Sequence, residues 1–295
     1  MTVKTIYRNL RDQYPGLEGF RPDQAIFGNR TPWGKNFRYL RHHAECRRAF
    51  RRNGKTLSPE AADFAAHFRR DGYVIFNPGY DPGLLETIRS KCEALANTGH
   101  LRVLPEEDWF LQFNESMARV PEIAQLINLK VASVAEACFG SHFKIYTSEL
   151  YRIVPTSAPP NLSGLWHTDN YPPGIYKIMV YLTECDRASG ALGLHPKEST
   201  RRLLRKGFFD RFRAEPFRKE LENEGTRIEG PAGTVLFWDS NLIHRANPPL
   251  SGHRDVAAFK LLPSREPWVS HLSRVGARVN YESRSEQTPA DPSAD

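Results

Sequence analysis

The stretch Gly233–Arg254 reads GTVLFWDSNLIHRANPPLSGHR and alternates apolar runs with turn residues. Thr234–Trp238 is rich in β-forming residues, which predicts a strand, and Asn247–Gly252 combines Asn, Pro, Ser and Gly, which predicts a turn. A second predicted strand, Asp255–Leu262, follows at once. The stretch therefore predicts antiparallel β-structure, with a histidine before the turn and an arginine after it.

The strand pattern extends upstream to Phe143, and helical spacing of apolar residues precedes it. Helices first and short strands afterwards favour an α+β fold with a β core, an antiparallel sandwich or barrel packed by N-terminal helices. We predict helices near Tyr39–Arg52, from the Ser58–Pro59 start signal to Gly72, and over Leu84–Asn97 and Pro121–Cys138. The other predicted strands are Tyr73–Phe76, Lys144–Val154, Tyr176–Thr183, Ala191–Leu194 and Arg227–Ile228.

Composition excludes several classes of protein. With 295 residues, 40% of them hydrophobic and 25% charged, the chain has the balance of a globular protein rather than a disordered, collagenous or coiled-coil one. The longest apolar runs are far shorter than a membrane span, and no basic-then-apolar leader opens the chain, so we predict neither a transmembrane segment nor a signal peptide. The four cysteines are scattered without a CxxC pair, which favours a cytoplasmic protein without disulfides or a thiolate zinc site.

Charge and polarity suggest three regions. A basic N-terminal extension is predicted over residues 1–57, a main domain over 58–280, and a disordered tail over 281–295. The net charge of +7 is concentrated in Phe37–Lys55 and Arg201–Arg218. Such stretches either form solvated helical faces or attract anions, including an anionic substrate. No nucleic-acid-binding module is recognisable, so no nucleic-acid partner is expected.

The candidate metal ligands are His167, Asp169 and His244. In Trp166-His167-Thr168-Asp169 the histidine and the aspartate are two residues apart, so on an extended segment both side chains point to the same side. A later histidine can complete a set of two imidazoles and one carboxylate, with open positions on the other face of the metal. That ligand set suits non-haem Fe(II) and oxygen chemistry, so we predict an iron site here.

Two similar triplets are weaker candidates. His253-Arg254-Asp255 has only His271 downstream of it, and His43-Ala44-Glu45 falls in a predicted helix, where residues two apart diverge. Turn residues flank the first triplet on both sides, which places it at the end of a strand. Arg254 follows His244 by ten residues, which fits one antiparallel return into the same barrel. A buried guanidinium there needs an anion, and a dicarboxylate co-substrate would bind it in a bidentate manner.

From Phe68 to about Pro263 the chain resembles the Fe(II)/2-oxoglutarate-dependent oxygenases of the phytanoyl-CoA dioxygenase-like family. The resemblance rests on WHTD at 166–169, on the strand and turn through Thr183–Leu194, and on the Gly233–Arg254 stretch. It implies a double-stranded β-helix, the cupin-type jelly roll, as the fold of the main domain. It also implies that His167, Asp169 and His244 hold Fe(II), that Arg254 binds the distal carboxylate of 2-oxoglutarate, and that O2 is the second co-substrate.

The strand at Tyr176–Thr183 adds two candidates. Lys177, Met179 and Tyr181 alternate with apolar residues that should pack under the helices, so this set should face the cavity. A lysine there needs an anion, which makes Lys177 a candidate second contact for 2-oxoglutarate, or else the strand twists it to solvent. Tyr181 is a candidate hydrogen-bond donor to the same molecule. His195 is expected at the rim or surface, and Trp166 and Trp238 in the core.

The predicted activity is hydroxylation of an unactivated C–H bond in a small-molecule or carrier-linked substrate. Two alternatives remain open from the sequence. A metal-binding cupin-type isomerase or hydrolase would use the same triad but would not need Arg254 in the barrel. A non-catalytic anion-binding jelly roll would use the basic surface and would tolerate loss of the triad.

Overall fold

The computed structural model describes residues 32–54, 57–104 and 107–268. Helices dominate the first part of this chain. Ser58 begins the second helix, because its side chain accepts a hydrogen bond from the amide of Ala61 at 3.2 Å. The α-helices are α1 Pro32–Arg52, α2 Pro59–Asp71, α3 Pro82–Asn97, α4 Ser116–Arg119, α5 Leu129–Phe139, α6 Lys197–Arg205 and α7 Arg218–Glu224.

Two antiparallel sheets form the rest. The large sheet has the strand order β1-β8-β5-β10-β4-β3-β2, and the small sheet has the order β7-β6-β9. The strands are β1 Tyr73–Phe76, β2 Leu101–Leu104, β3 Glu107–Phe113, β4 His142–Ile153, β5 Tyr176–Tyr181, β6 Leu192–Leu194, β7 Thr226–Ile228, β8 Val235–Asp239, β9 His244–Arg245 and β10 Arg254–Ser264. This is the predicted α+β arrangement with a β core, and it is consistent with a double-stranded β-helix.

Strand β5 separates two apolar layers. Tyr176, Ile178 and Val180 join a buried cluster with residues of α2, α3 and α5, on the outer face of the large sheet. Met179 and Tyr181 point the other way and pack with residues of both sheets, such as Leu194 and Trp238. The alternation predicted for this strand is therefore confirmed, and the inner layer is where the candidate site lies.

Some predicted elements need correction. The helix predicted over Pro121–Cys138 is two pieces, a 3₁₀ turn at Pro121–Leu126 and then α5. The break falls at Asn128, whose side chain accepts a hydrogen bond from the amide of Val131 at 3.0 Å and caps the second helix. Apolar spacing continues across the break, so periodicity alone missed it. Strands β2, β3 and β9 were not predicted, because they are short or rich in charged residues.

Helix α1 packs on the main domain. Cys46 and Phe50 are buried, and the His42 ring is 3.1 Å from the carbonyl of Pro263 at the end of β10. The boundary predicted at residue 57 stays a prediction, with α1 in direct contact with the domain that follows. The predicted tail at 281–295 lies outside the described residues. None of the helices in the described ranges combines the length and apolar composition needed to cross a bilayer.

Candidate metal centre

Backbone pairing brings the two histidines together. The amide of His167 donates to the carbonyl of His244 at 2.9 Å, and the amide of His244 donates to the carbonyl of His167 at 2.8 Å. The two residues thus form an antiparallel bridge at the edge of the small sheet, with ring centroids 4.4 Å apart. Asp169 is held by its own amide, which donates to the carbonyl of Ser240 at 3.3 Å. The pairing places all three predicted ligands at one end of the barrel.

Local hydrogen bonds fix which ring nitrogen faces the cavity. Nδ1 of His167 lies 2.7 Å from the carbonyl oxygen of Leu165, and Nδ1 of His244 lies 2.8 Å from that of Leu242. Because a carbonyl oxygen can only accept, each Nδ1 carries the ring proton, and each Nε2 offers a lone pair. The two Nε2 atoms lie 3.9 and 3.8 Å from Oδ1 of Asp169.

Three acceptor atoms therefore converge with no proton between them. Burial, followed by the charge of His244, lowers the pKa of His167 to about 3, and burial also lowers the pKa of His244, so both rings are neutral at pH 7. Burial opposes ionisation of Asp169, but the ammonium of Lys177 outweighs it, and the pKa of the carboxyl is lowered to about 2. Such an arrangement is electrostatically unfavourable by itself and is satisfied by a cation. The donor set fits Fe(II) bound by two imidazoles and one carboxylate.

Lys177 occupies the other oxygen of the same carboxylate. Its ammonium lies 2.6 Å from Oδ2 of Asp169, and Trp238 lies beside it, with the ring centroid 5.6 Å from Nζ. The side chain faces the cavity as predicted. Its contact here is the aspartate, so direct binding to 2-oxoglutarate stays a prediction. With Oδ2 engaged by the lysine, Oδ1 alone is directed at the histidines, which favours a monodentate carboxylate ligand.

The packing of Trp166 holds the segment that contains His167 in place. A Cβ atom placed on Gly193 would lie 2.7 Å from the indole ring, and one on Gly225 would lie 2.6 Å from it, so the ring needs glycine on both sides. The indole Nε1 donates to Glu222 at 3.1 Å, and the guanidinium of Arg245 stacks 4.5 Å from the ring centroid. The expectation that Trp166 and Trp238 are core residues is confirmed, since both are buried.

Arg254 is a buried cation with few partners. Its side chain is 1% exposed, and the contacts of its guanidinium are to the carbonyl of Ser189 at 3.4 Å and to the sulfur of Cys185 at 3.9 Å. Its Nε has no hydrogen-bond partner, and no carboxylate of the described residues lies within ion-pair distance. A guanidinium that is nine-tenths or more buried requires an anion. The carboxylate of 2-oxoglutarate predicted for this position fits that need.

Tyr181 lies in the same inner layer but has its own partner. Its hydroxyl donates to the carbonyl of Ile228 at 2.6 Å, and the residue is 1% exposed. Burial, followed by the charge of Cys185, raises its pKa well above the usual range, so the phenol keeps its proton. Donation to 2-oxoglutarate would require that proton to leave Ile228, and this role stays a prediction.

A second cluster resembles a metal site but already holds a cation. Glu93, His253 and Asp255 also bring possible ligand atoms close together. The guanidinium of Arg152 donates to Asp255 at 2.8 and 2.7 Å and to Glu93 at 2.7 and 3.2 Å. Because the arginine neutralises these carboxylates, we interpret the triplet at 253–255 as part of a charge network.

His195 corrects one expectation. Predicted at the rim or surface, it is fully buried, with Nδ1 2.9 Å from the hydroxyl of Ser199 and Nε2 3.0 Å from the carbonyl of Leu221. Both nitrogens are engaged, so this histidine joins α6 and α7 to the small sheet. The turn at Gly190 had suggested exposure, but the segment after it enters strand β6.

Sequence reasoning missed polar residues on the inner face of β4 and β10. Lys260 of β10 lies 4.0 Å from Glu149 of β4, and Thr147 pairs with Lys260 in register. The signal was present in the sequence, because Val256, Ala258 and Lys260 alternate as Lys177 and Tyr181 do.

Comparison with known proteins agrees with this geometry. The model of the Phytanoyl-CoA dioxygenase (PhyH) family matches residues 68–256. No curated protein matches the chain. Among solved structures, the chain is similar to the non-heme alpha-ketoglutarate-dependent carbocyclase SnoK from nogalamycin biosynthesis, with 20% identity, a TM-score of 0.56, and coverage of 75% of this chain and 92% of that one.

Two further solved structures share the fold. EctD from S. alaskensis with bound Fe is 21% identical with a TM-score of 0.55, and the match covers 71% of this chain and 80% of that one. HygX from Streptomyces hygroscopicus, with nickel, 2-oxoglutarate and hygromycin B bound, is 18% identical with a TM-score of 0.52, covering 70% and 88%. The family match spans more than half of the chain and includes all three converging ligands. The chain therefore belongs to the phytanoyl-CoA dioxygenase (PhyH) family and is a 2-oxoglutarate-dependent, non-haem iron dioxygenase.

Proposed function

We propose that this protein uses Fe(II), 2-oxoglutarate and O2 to hydroxylate an unactivated C–H bond of a small-molecule substrate. In this proposal His167, Asp169 and His244 are the iron ligands, and Arg254 binds the distal carboxylate of 2-oxoglutarate. The observation that carries the proposal is the convergence of two lone pairs and one carboxylate oxygen without an intervening proton. The unpaired guanidinium of Arg254 supports the co-substrate assignment.

The protein's part is to hold the ligands and the anions in place. Ferrous iron with 2-oxoglutarate and O2 supplies the oxidising power for C–H cleavage. The carbonyls of Leu165 and Leu242 orient the imidazoles, and Lys177 binds Oδ2 of Asp169, so that Oδ1 would be the oxygen that holds the metal. Three protein ligands would leave the remaining coordination positions of the metal to the co-substrate and oxygen.

The solved structures support a small-molecule substrate. They include complexes with nogalamycin RO, 5-hydroxyectoine and hygromycin B on the same fold. We extend this only to the size class of the substrate, because fold alone does not select a substrate. The proposal includes a cytoplasmic location, which four free, buried cysteines support. It also includes the domain boundaries at residues 57 and 280.

The test is release of succinate from 2-oxoglutarate in air. Wild-type protein with added Fe(II) should form succinate, slowly without substrate and faster with one, and removal of iron or O2 should stop it. Folded, iron-loaded protein that forms no succinate under either condition would contradict the proposal. Turnover of a substrate without O2 or 2-oxoglutarate would indicate a cupin-type isomerase or hydrolase.

A further inference from the structure

Four side chains form one row across the inner face of the large sheet. Trp238 on β8 pairs with Lys177 on β5, Lys177 pairs with Lys260 on β10, and Lys260 pairs with Thr147 on β4. Paired residues in antiparallel strands project from the same face. The row therefore begins beside the metal ligands, where Lys177 contacts Asp169, and runs away from them. At a strand spacing of about 4.8 Å, Thr147 lies about 10 Å from the β5 strand.

Both ends of the row carry buried polar atoms without partners. The hydroxyl of Thr147 and the indole Nε1 of Trp238 have no hydrogen-bond partner within the described residues. Thr147 is 4% exposed and Trp238 is 1% exposed. A buried donor left unpaired costs free energy, and such atoms are usually satisfied by a ligand or water. The Thr147 hydroxyl and the Trp238 indole N–H therefore lack a hydrogen-bond acceptor.

The two lysines of the row differ in how closely a counter-ion approaches them. Like charges directly opposite each other in a sheet repel, and Lys177 has Asp169 as its counter-ion. Lys260 contacts Tyr171, with Nζ 5.7 Å from the ring centroid, and has Glu149 as its counter-ion at 4.0 Å. That carboxylate already accepts a hydrogen bond of 2.5 Å from Tyr151. Burial opposes the charge of Lys260, but Glu149 and Tyr171 outweigh it and raise its pKa, so the ammonium is charged. Its side chain is 23% exposed and can be reached by a ligand.

We propose that Lys260 and Thr147 form a subsite that binds an anionic oxygen group, a carboxylate or a phosphate, of the primary substrate. This rests on the proposed function, because the metal beside Asp169 defines where the substrate reacts. Arg254, six residues earlier on the same strand, is engaged by 2-oxoglutarate in that proposal, so the subsite serves a second anion. The substrate class is accordingly a small molecule bearing an acidic group within reach of the reacting carbon.

The test uses small anions as probes and needs no turnover. The protein is loaded with less than one equivalent of Mn(II) and saturating 2-oxoglutarate, so that the metal and Arg254 sites are filled. Nuclear relaxation of inorganic phosphate (³¹P) and of acetate (¹³C) is then measured, with the Zn(II)-loaded protein as the diamagnetic baseline. Wild type should show saturable, metal-dependent relaxation of at least one probe, and comparison of the two probes identifies the preferred anion class.

Variants of Lys260 and Thr147 test whether these residues bind the anion probes. Lys260→Gln should weaken probe binding about tenfold and Thr147→Val about threefold, while the exposed Lys219→Met should leave it unchanged. No metal-dependent relaxation in wild type, or equal binding in Lys260→Gln, would overturn the subsite. A loss of 2-oxoglutarate affinity in Lys260→Gln, with probe binding kept, would assign the row to the co-substrate instead. Mn(II) binding that persists in Asp169→Ala would contradict the proposed metal site and not the subsite.

Discussion

The carbonyl oxygen of Leu165 accepts a hydrogen bond from Nδ1 of His167, and that of Leu242 accepts one from Nδ1 of His244. Each contact determines the tautomer of the histidine. In both cases a short backbone contact directs Nε2 to Oδ1 of Asp169. This is local chemistry on an extended segment, so His167 and Asp169 could be predicted from their spacing. The contact between Lys177 and the second carboxylate oxygen depends on β5 lying beside the triplet, and sequence could only predict that the lysine faces the cavity.

Asp169→Ala should abolish tight Fe(II) binding and succinate formation, because it removes the single anionic ligand and leaves Lys177 unpaired. Binding is measured by anaerobic equilibrium dialysis with iron analysis, and turnover by succinate release. Asp63→Ala, an exposed change on α2, is the control and should behave as wild type. Wild-type iron affinity in Asp169→Ala would show that the wrong triplet was chosen.

Arg254→Leu should raise the KM for 2-oxoglutarate roughly tenfold to a hundredfold, because a charge-assisted bidentate contact is lost from a buried site. Iron binding should be unchanged, since Arg254 makes no contact with the ligands. The assay is succinate formation as a function of 2-oxoglutarate concentration, with the exposed Arg187→Leu as the control. An unchanged KM would place the carboxylate site elsewhere.

His43 makes the stability of the fold depend on pH. Its Nε2 donates to the carbonyl of Phe139 at 3.0 Å, and burial, followed by the charge of Arg47, lowers its pKa to about 4. The unfolded chain, with a pKa of about 6.5, takes up the proton first as pH falls. This contribution to stability is therefore complete above about pH 6.5 and is lost as pH falls toward 4.

The measurement is urea unfolding of the metal-free protein at pH 7.5, 6 and 5. His43→Gln keeps a donor for Phe139 without the titration, so between pH 7.5 and pH 5 its free energy of unfolding should fall by about 2 kcal/mol less than that of wild type. The same acid dependence in both proteins would show that His43 titrates normally in the fold.

At the scale of elements, turns and close contacts determine the positions of the strands more than strand propensity does. Gly190, in the turn before β6, has φ +81°, and a Cβ atom there would lie 2.4 Å from the carbonyl oxygen of Asn247. The turn was predictable from its Ser-Gly pair, but its packing against the Asn247–Pro249 segment was not, because 57 positions separate Gly190 from Asn247 in the chain. The two-residue β9 was missed for the same reason, because its pairing with β6 and with His167 defines it. The break before α5 is local and comes from the Asn128 cap, which apolar spacing does not reveal.

Gly190→Ala should lower the free energy of unfolding by about 3 kcal/mol or more, since both the left-handed backbone and the backbone clash disfavour a side chain. Gly79→Ala is the matched control, with φ +73° and open space around the Cβ position, and should cost about 1 kcal/mol. Urea unfolding of both variants measures the difference. Equal losses would show that the contact with Asn247 contributes nothing.

At the scale of the whole molecule, the two sheets share the inner apolar layer, and the His167–His244 bridge lies at the edge of the small sheet. Helices α2, α3 and α5 cover the outer face of the large sheet. The α+β class followed from the order of helices and strands. The jelly roll followed only from the family resemblance, because strand order cannot be derived from periodicity. The row from Trp238 to Thr147 depends on the register of four strands, which explains why the sequence did not predict it.

Within the described residues, two clusters bring possible ligand atoms together, and iron is proposed to bind at His167, Asp169 and His244. Crystals grown anaerobically with Fe(II) and 2-oxoglutarate can be measured at the iron absorption edge. The anomalous difference map should contain one strong peak, in coordination distance of His167, Asp169 and His244. A peak at Glu93, His253 and Asp255 instead, or no peak at the first cluster, would contradict the central claim.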